Sequence, residues 1–112
     1  MEKGEDMKKL NFNEKGLIPA IIQDDKTGEV LMLGYMNAEA LKRTLETGEA
    51  WFYSRSRQQL WHKGETSGNV IKVVKILQDC ENNSLLVKAR PTGPVCHTGH
   101  QNCFFTEFIE DK

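Results

Sequence analysis

The chain has 112 residues, 15 of them basic and 16 acidic, for a net charge of -1. That length fits one domain, since about 100–200 residues per domain is usual, and the modest buried fraction makes pairing of two copies a natural way to bury more apolar surface. Evenly mixed charge excludes the electropositive footprint of a nucleic-acid binder and points to a small-molecule partner, while no apolar run approaches the roughly 20 residues of a membrane helix.

The N-terminus, Met1 to Asp6, is charged and lacks the apolar core of a secretion signal, so a cytoplasmic location is expected. Residues 1–15 read as a flexible segment with Leu10 and Phe12 as its anchors, and 16–112 as the folded domain. Leu17 to Gln23 and Val30 to Tyr35 are β-rich runs separated by the turn residues Asp24-Asp25-Lys26-Thr27-Gly28, which predicts a hairpin. Pro19 places its strand at an edge or a bulge. Asn37 is an N-cap, Ala38-Glu39-Ala40-Leu41 are helix formers and Gly48 ends the run, so one main helix is expected over about residues 38–47. Met36 is placed to staple onto Leu41, which shares a buried face with Leu45.

Trp51-Phe52-Tyr53 reads as a short strand leading into Ser54-Arg55-Ser56-Arg57, either a solvated loop or an anion site of hydroxyls and guanidinium forks. Trp61-His62-Lys63-Gly64-Glu65-Thr66-Ser67-Gly68 sets a base, an ammonium, a carboxylate and two hydroxyls between glycines that let backbone approach a ligand. Positions 70, 73, 74 and 77 also fit a helical period, but the β-branched content of Val70 to Leu77 decides for a strand mostly buried on both faces, followed by a turn and a second strand, Ser84 to Arg90. If extended backbone continued to residue 81, Asp79 and Glu81 would share one face and Cys80 the other. Strands with one helix inserted early make the fold class α+β, a single domain with a mostly antiparallel sheet.

Chemistry concentrates between Gly93 and Phe104, which hold Cys96, His97, His100 and Cys103. Three cysteines cannot all pair as disulfides, and in a reducing compartment thiols bind metal, react or pack. The spacing Cys96-x6-Cys103 is too wide for a zinc-finger pair, yet the three thiols and the histidines could between them supply three protein ligands to zinc and leave a tetrahedral position open for water. Zinc lowers the pKa of bound water to about 7, enough for hydroxide to attack an electrophilic carbon. His97 then reads as a ligand or a proton shuttle, His100 as a participant in the same chemistry or equally an exposed loop residue, and the residues alone do not choose the base among His62, His97 and His100. The nucleobase-deaminase signature, H-x-E with P-C-x-x-C, is absent. Asp79, Glu81 and Asn83 set oxygens at alternate positions, either a Mg²⁺ site or a polar hairpin tip.

Several motifs together closely resemble the phosphoribosyl-AMP cyclohydrolases of histidine biosynthesis: Gly34-Tyr35-Met36-Asn37, Tyr53 to Arg57, Trp61 to Gly68, Asp79-Cys80, and Gly93 to Gly99 followed by Cys103-Phe104. The resemblance covers about Leu17 to Phe105. It implies a zinc enzyme, also using Mg²⁺, that opens the adenine ring of 1-(5-phosphoribosyl)-AMP at the N1–C6 bond to give the formimino-carboxamide ribonucleotide, the third step of the pathway. It further implies a homodimer with intersubunit sites. By motif position Cys80, Cys96 and Cys103 would bind zinc, and His97 would transfer protons. Arg55, Arg57, Lys63, Glu65, Thr66 and Ser67 would hold the bisphosphorylated substrate, and Asp79, Glu81 and Asn83 the magnesium. The family's magnesium motif is typically Asp-Cys-Asp-x-Asp; here Glu81 keeps a carboxylate but Asn83 replaces a charge by an amide, and Asn102 stands where serine is common. That departure motivates an alternative, a catalytically weakened, zinc-stabilised dimerisation or binding module. Many relatives are fused to a downstream pyrophosphohydrolase, an activity expected here on another polypeptide.

Overall fold

The structure, a computed structural model, describes residues 7–111. In chain order the elements are β1 (Ile18–Asp24), β2 (Val30–Met36), α1 (Ala38–Thr47), β3 (Trp51–Ser54), β4 (Gln59–His62), β5 (Ile71–Gln78) and β6 (Leu85–Pro91). Strands β2-β1-β6-β5 form one sheet, and β3 with β4 a separate hairpin. The fold is a single α+β domain, as the element order implied. Its pairs are antiparallel except β1 with β6, which is parallel from Ala20↔Leu85 to Asp24↔Ala89. Among the described residues no helix is long and apolar enough to cross a membrane.

The β1–β2 turn forms where its chemistry lies: Asp24 Oδ1 accepts from the N–H groups of Lys26 and Thr27 at 2.8 and 3.1 Å, and Gly28 supplies a φ of 79°. Ile18, Ala20 and Ile22 alternate inward from β1 and meet Leu85, Val87 and Ala89 of β6 in one core, with Met36, Leu41 and Phe52 completing it. Helix α1 has the expected bounds. Asn37 Oδ1 accepts from Ala40 N at 2.8 Å, and Gly48, in the left-handed region, donates to Thr44 O at 2.9 Å. Asn37→Ala should therefore cost about 1 kcal/mol of stability, read as a lower denaturation midpoint at unchanged slope.

Three expectations need correction. Strand β5 is not buried on both faces: only Ile71 is fully enclosed, and Val74 and Leu77 are 42% and 45% exposed. It is an edge strand whose one ladder partner in the sheet is β6, and Val74 drops out of that register at a bulge. β-branched content favours a strand but does not say what covers it. Pro19 lies in β1, which is internal to the sheet; the parallel ladder to β6 starts only at Ala20, so the proline sits where that partner has not begun. Gln59 to His62, to which the sequence pattern assigns no element, form a further strand pairing with β3 from Trp51↔His62 to Ser54↔Gln59. Strand β5 ends at Gln78, so the conditional alternation of Asp79, Cys80 and Glu81 does not arise.

Of the N-terminal segment, Met1 to Asp6 lie outside the described residues. Met7, Leu10 and Phe12 pack against the core, and Asn11 N donates to Asn82 O at 2.7 Å, tying the segment to the β5–β6 turn.

Candidate active site

The β3–β4 hairpin, the loop after it and the loop after β6 enclose a cavity of about 800 Å³. One wall is aromatic and basic. Strand pairing sets Trp51 opposite His62, and their rings stack at 4.6 Å with an 11° interplanar angle, while Arg43 of α1 lies over the Trp51 ring. His62 Nε2 lies 2.8 Å from Glu49 Oε1; an ionised carboxylate only accepts, so that nitrogen carries the proton. On its other side His62 Nδ1 is 3.8 Å from Glu65. Trp61 packs on Phe52, and the buried Lys63 directs its ammonium over the Trp61 ring at 5.1 Å.

The loop over residues 63–70 owes its shape to Gly64 and Gly68, both at positive φ, and to the Gly68 N–H, which donates to Gly64 O at 2.8 Å. It brings Glu65, Thr66 and Ser67 to the cavity. Gly93 leaves room for the Asn69 side chain, which a Cβ at residue 93 would meet at 2.3 Å.

The opposite wall is the cysteine loop, closed by main-chain bonds from Val95 N to Gln101 O and from Cys96 N to His100 O at 3.2 and 3.1 Å. Cys103 N donates to Leu31 O at 2.8 Å, fastening the loop to β2, and Asn102 Nδ2 donates to Glu29 Oε2. Cys96 is buried and lines the cavity beside the exposed His97. The Thr98 hydroxyl, with the Thr98 N–H, the Cys103 thiol and the Lys63 charge adding to it, holds the Cys96 thiol below its ordinary range. Burial pushes the Cys103 thiol up, and its hydrogen bond and proximity to Cys96 push in the same direction. The two sulfurs thus form a pair in which Cys96 is the readier thiolate.

Arg57, Lys63, Glu65, Thr66, Ser67, Cys96 and His97 all line this cavity. Arg55 is turned away, its guanidinium 4.0 Å over the Tyr35 ring. Cys80, exposed, sits in the β5–β6 turn with Asp79, Glu81 and Asn83, away from the Cys96–Cys103 pair. Among the described residues no group of three or more His, Cys, Asp or Glu side chains is set to hold a metal. The turn is closed on itself: Asp79 Oδ1 accepts from Asn83 N and Ser84 N at 2.9 and 3.2 Å. In the amide orientation that satisfies both groups, Asn83 Nδ2 donates to Asp79 Oδ2 at 2.9 Å. The Asn83 N–H holds the Asp79 carboxyl below its usual range. As folded, this donor set does not fit a magnesium ion.

Sequence reasoning passed over Glu49, Trp51, Asn69 and Thr98. Glu49 and Trp51 carry no motif and reach the site through the unforeseen β3–β4 pairing, whereas Thr98, within the Cys-His-Thr-Gly run, was in view but had no partner until the loop closed.

A ligand-sized cavity, aromatic and basic on one side and thiol-bearing on the other, is the kind of site in which a small α+β enzyme holds a small-molecule substrate. Residues 32–105 match the sequence model of the family described as phosphoribosyl-AMP cyclohydrolase. The chain is 57% identical over 105 residues to the phosphoribosyl-AMP cyclohydrolase of Listeria innocua, covering 94% of this chain and 99% of that one. It is 58% identical over 106 residues to the protein of that name from Pelotomaculum thermopropionicum, covering 95% and 82%. It is also 58% identical over 106 residues to the histidine biosynthesis bifunctional protein HisIE of Caldanaerobacter subterraneus; there it covers 95% of this chain but spans only about half, 52%, of the relative. The chain belongs to the phosphoribosyl-AMP cyclohydrolase family, a family of hydrolases.

Proposed function

We propose that the protein hydrolyses the N1–C6 bond of the adenine ring of phosphoribosyl-AMP in histidine biosynthesis, at a zinc centre built from Cys96, Cys103 and the Cys80 of a second copy. The observation that carries this reading is the Cys96–Cys103 pair opening onto a cavity that also presents Arg57, Lys63, Thr66 and Ser67. The donor chemistry fits zinc: two adjacent sulfurs, one favoured as thiolate, need one further thiol to make a three-ligand set with an open position. Zinc bound there supplies Lewis-acid activation of water.

The chain's own residues do the rest. Arg57, Thr66 and Ser67 bind phosphate oxygens through charge-assisted bonds, and Glu65 accepts from a sugar hydroxyl. Arg55 joins them by leaving the Tyr35 ring. Trp61 and the stacked Trp51–His62 pair give the purine an apolar, flat-walled surround that excludes bulk water. His97 takes a proton from the attacking water. The water oxygen becomes the carboxamide oxygen at C6, the N1–C6 bond breaks, and the two water hydrogens end on N1 and on the exocyclic nitrogen.

Two copies are supported by the single-chain deficit of one thiol and by the apolar residues left exposed, Val74 and Leu77 on β5 and Phe104, Phe105 and Phe108 beyond the cysteine loop. The test is metal content together with turnover: the purified protein should carry zinc and convert phosphoribosyl-AMP to the ring-opened product. Full activity after zinc is stripped would exclude the zinc mechanism, and zinc without turnover would favour the binding module.

Magnesium enters this reading at the β5–β6 turn, where it must displace the Asn83–Asp79 contact, and no step is assigned to it. Asn83→Asp replaces that donor by a second carboxylate. The variant should melt below the unaltered protein without Mg²⁺, from like-charge repulsion, and regain that loss when Mg²⁺ is added. Thermal melts with and without the ion read both effects.

A further inference from the structure

Between Cys96 and Cys103 runs a hydrogen-bonded file that neither the fold nor the hydrolysis above accounts for. Thr98 Oγ1 donates to Cys96 Sγ at 3.1 Å, and the same oxygen lies 2.9 Å from His100 Nδ1. A hydroxyl has one proton. With that proton directed at sulfur, the oxygen accepts from His100 Nδ1–H, so the file runs from His100 through Thr98 to Cys96 in one direction. The His100 ring lies flat on Phe105, centroids 3.8 Å apart and planes within 7°. Its backbone carbonyl receives the Cys96 N–H, and the Gly99 N–H returns to Cys96 O at 2.9 Å. Ring and main chain together restrict where the imidazole can aim, and through it the hydroxyl.

We propose that Thr98 is a positioning residue of the thiol centre: with His100 orienting its hydroxyl, it fixes the direction and the hydrogen bonding of the sulfur that Cys96 presents to the metal. The inference rests on the zinc reading above. Thr98 does not line the cavity; it acts through Cys96, as groups that hydrogen-bond metal ligands orient them and adjust their donor strength. A threonine that merely shaped the turn would serve equally well as valine, which has the same outline and β-branching but no hydroxyl. Serine keeps the hydroxyl and loses only the methyl group.

The experiment is chelator competition for zinc on the unaltered protein and on its Thr98→Val and Thr98→Ser variants, with ¹⁵N NMR of the His100 ring. Thr98→Val should weaken zinc binding by about 10–100-fold, the range for removing a partner of a metal ligand, while Thr98→Ser stays within about threefold. An unchanged melting midpoint for metal-free Thr98→Val shows that the fold is intact. Thr98→Val binding zinc within about twofold of the unaltered protein, or Thr98→Ser binding as poorly as Thr98→Val, would overturn the proposal. A His100 proton on Nε2 instead of Nδ1 would break the file whatever the metal does. Unaltered protein that binds no zinc overturns the zinc reading, a failure distinct from loss of the valine effect.

Discussion

Cys80→Ser and Cys96→Ser proteins, each nearly devoid of zinc and turnover when pure, are expected to recover about a quarter of the unaltered rate when mixed in equal amounts and allowed to exchange subunits. The individual losses follow from coordination chemistry. Removing a mere hydrogen-bonding partner of a metal ligand costs roughly 10–100-fold in affinity, so removing the ligand itself costs more. Recovery follows from where the thiols lie. Cys96 and Cys103 influence one another within one chain, whereas Cys80 stands exposed in the β5–β6 turn. If each centre takes Cys80 from one copy and the pair from the other, a mixed dimer has one centre with both defects and one with none. Random exchange makes about half of the dimers mixed, each with one working centre of two, which is the expected quarter. A mixture that stays inactive would place all three thiols on one chain or remove a cysteine from the set, and zinc content of the pure variants distinguishes these outcomes.

The sequence carried most of this architecture wherever local chemistry decides local structure. Asn37, Gly48 and the acidic first turn specify α1 without reference to the rest of the molecule, and Asp24 to Gly28 specify the first hairpin in the same way. Legibility fails where the outcome depends on a distant partner. The exposure of β5 depends on its edge position, which no residue of β5 encodes. Residues 59–62 lack a strong β pattern and become a strand because Trp51 to Ser54 pair with them. Asp79 and Asn83 look like ligands at alternate positions of a strand, yet the chain turns there and the two side chains serve each other. At the site itself, the residues that line the cavity stood in recognisable runs, but Arg55 shows that a motif position does not fix a side chain's direction. His100, which reads as a solvent-exposed loop residue, owes its orientation to Phe105, five residues on, and to Thr98.

Gly64→Ala should lower stability by about 2–5 kcal/mol, well beyond the effect of the same change at Gly48. Both glycines have positive φ, 87° at Gly64 and 76° at Gly48, so alanine at either incurs about 1–2 kcal/mol of backbone strain. What separates them is space. A Cβ on Gly48 meets nothing within 4 Å, whereas on Gly64 it would lie 2.4 Å from the Asn69 carbonyl and the Val70 nitrogen. Those atoms are backbone, and no rotamer change relieves them; the loop must open, at the roughly 1–3 kcal/mol typical of overpacking. Opening it separates Gly64 O from the Gly68 N–H and draws Thr66 and Ser67 off the cavity. The variant should therefore show a raised KM for phosphoribosyl-AMP with zinc content unchanged, because the cysteines stand on other segments of the chain. Denaturant titration of both alanine variants measures the difference in stability. A loss at Gly64 no larger than at Gly48 would mean that residues 64–70 yield freely, and a loop that yields freely cannot be the rigid wall on which the phosphate contacts depend.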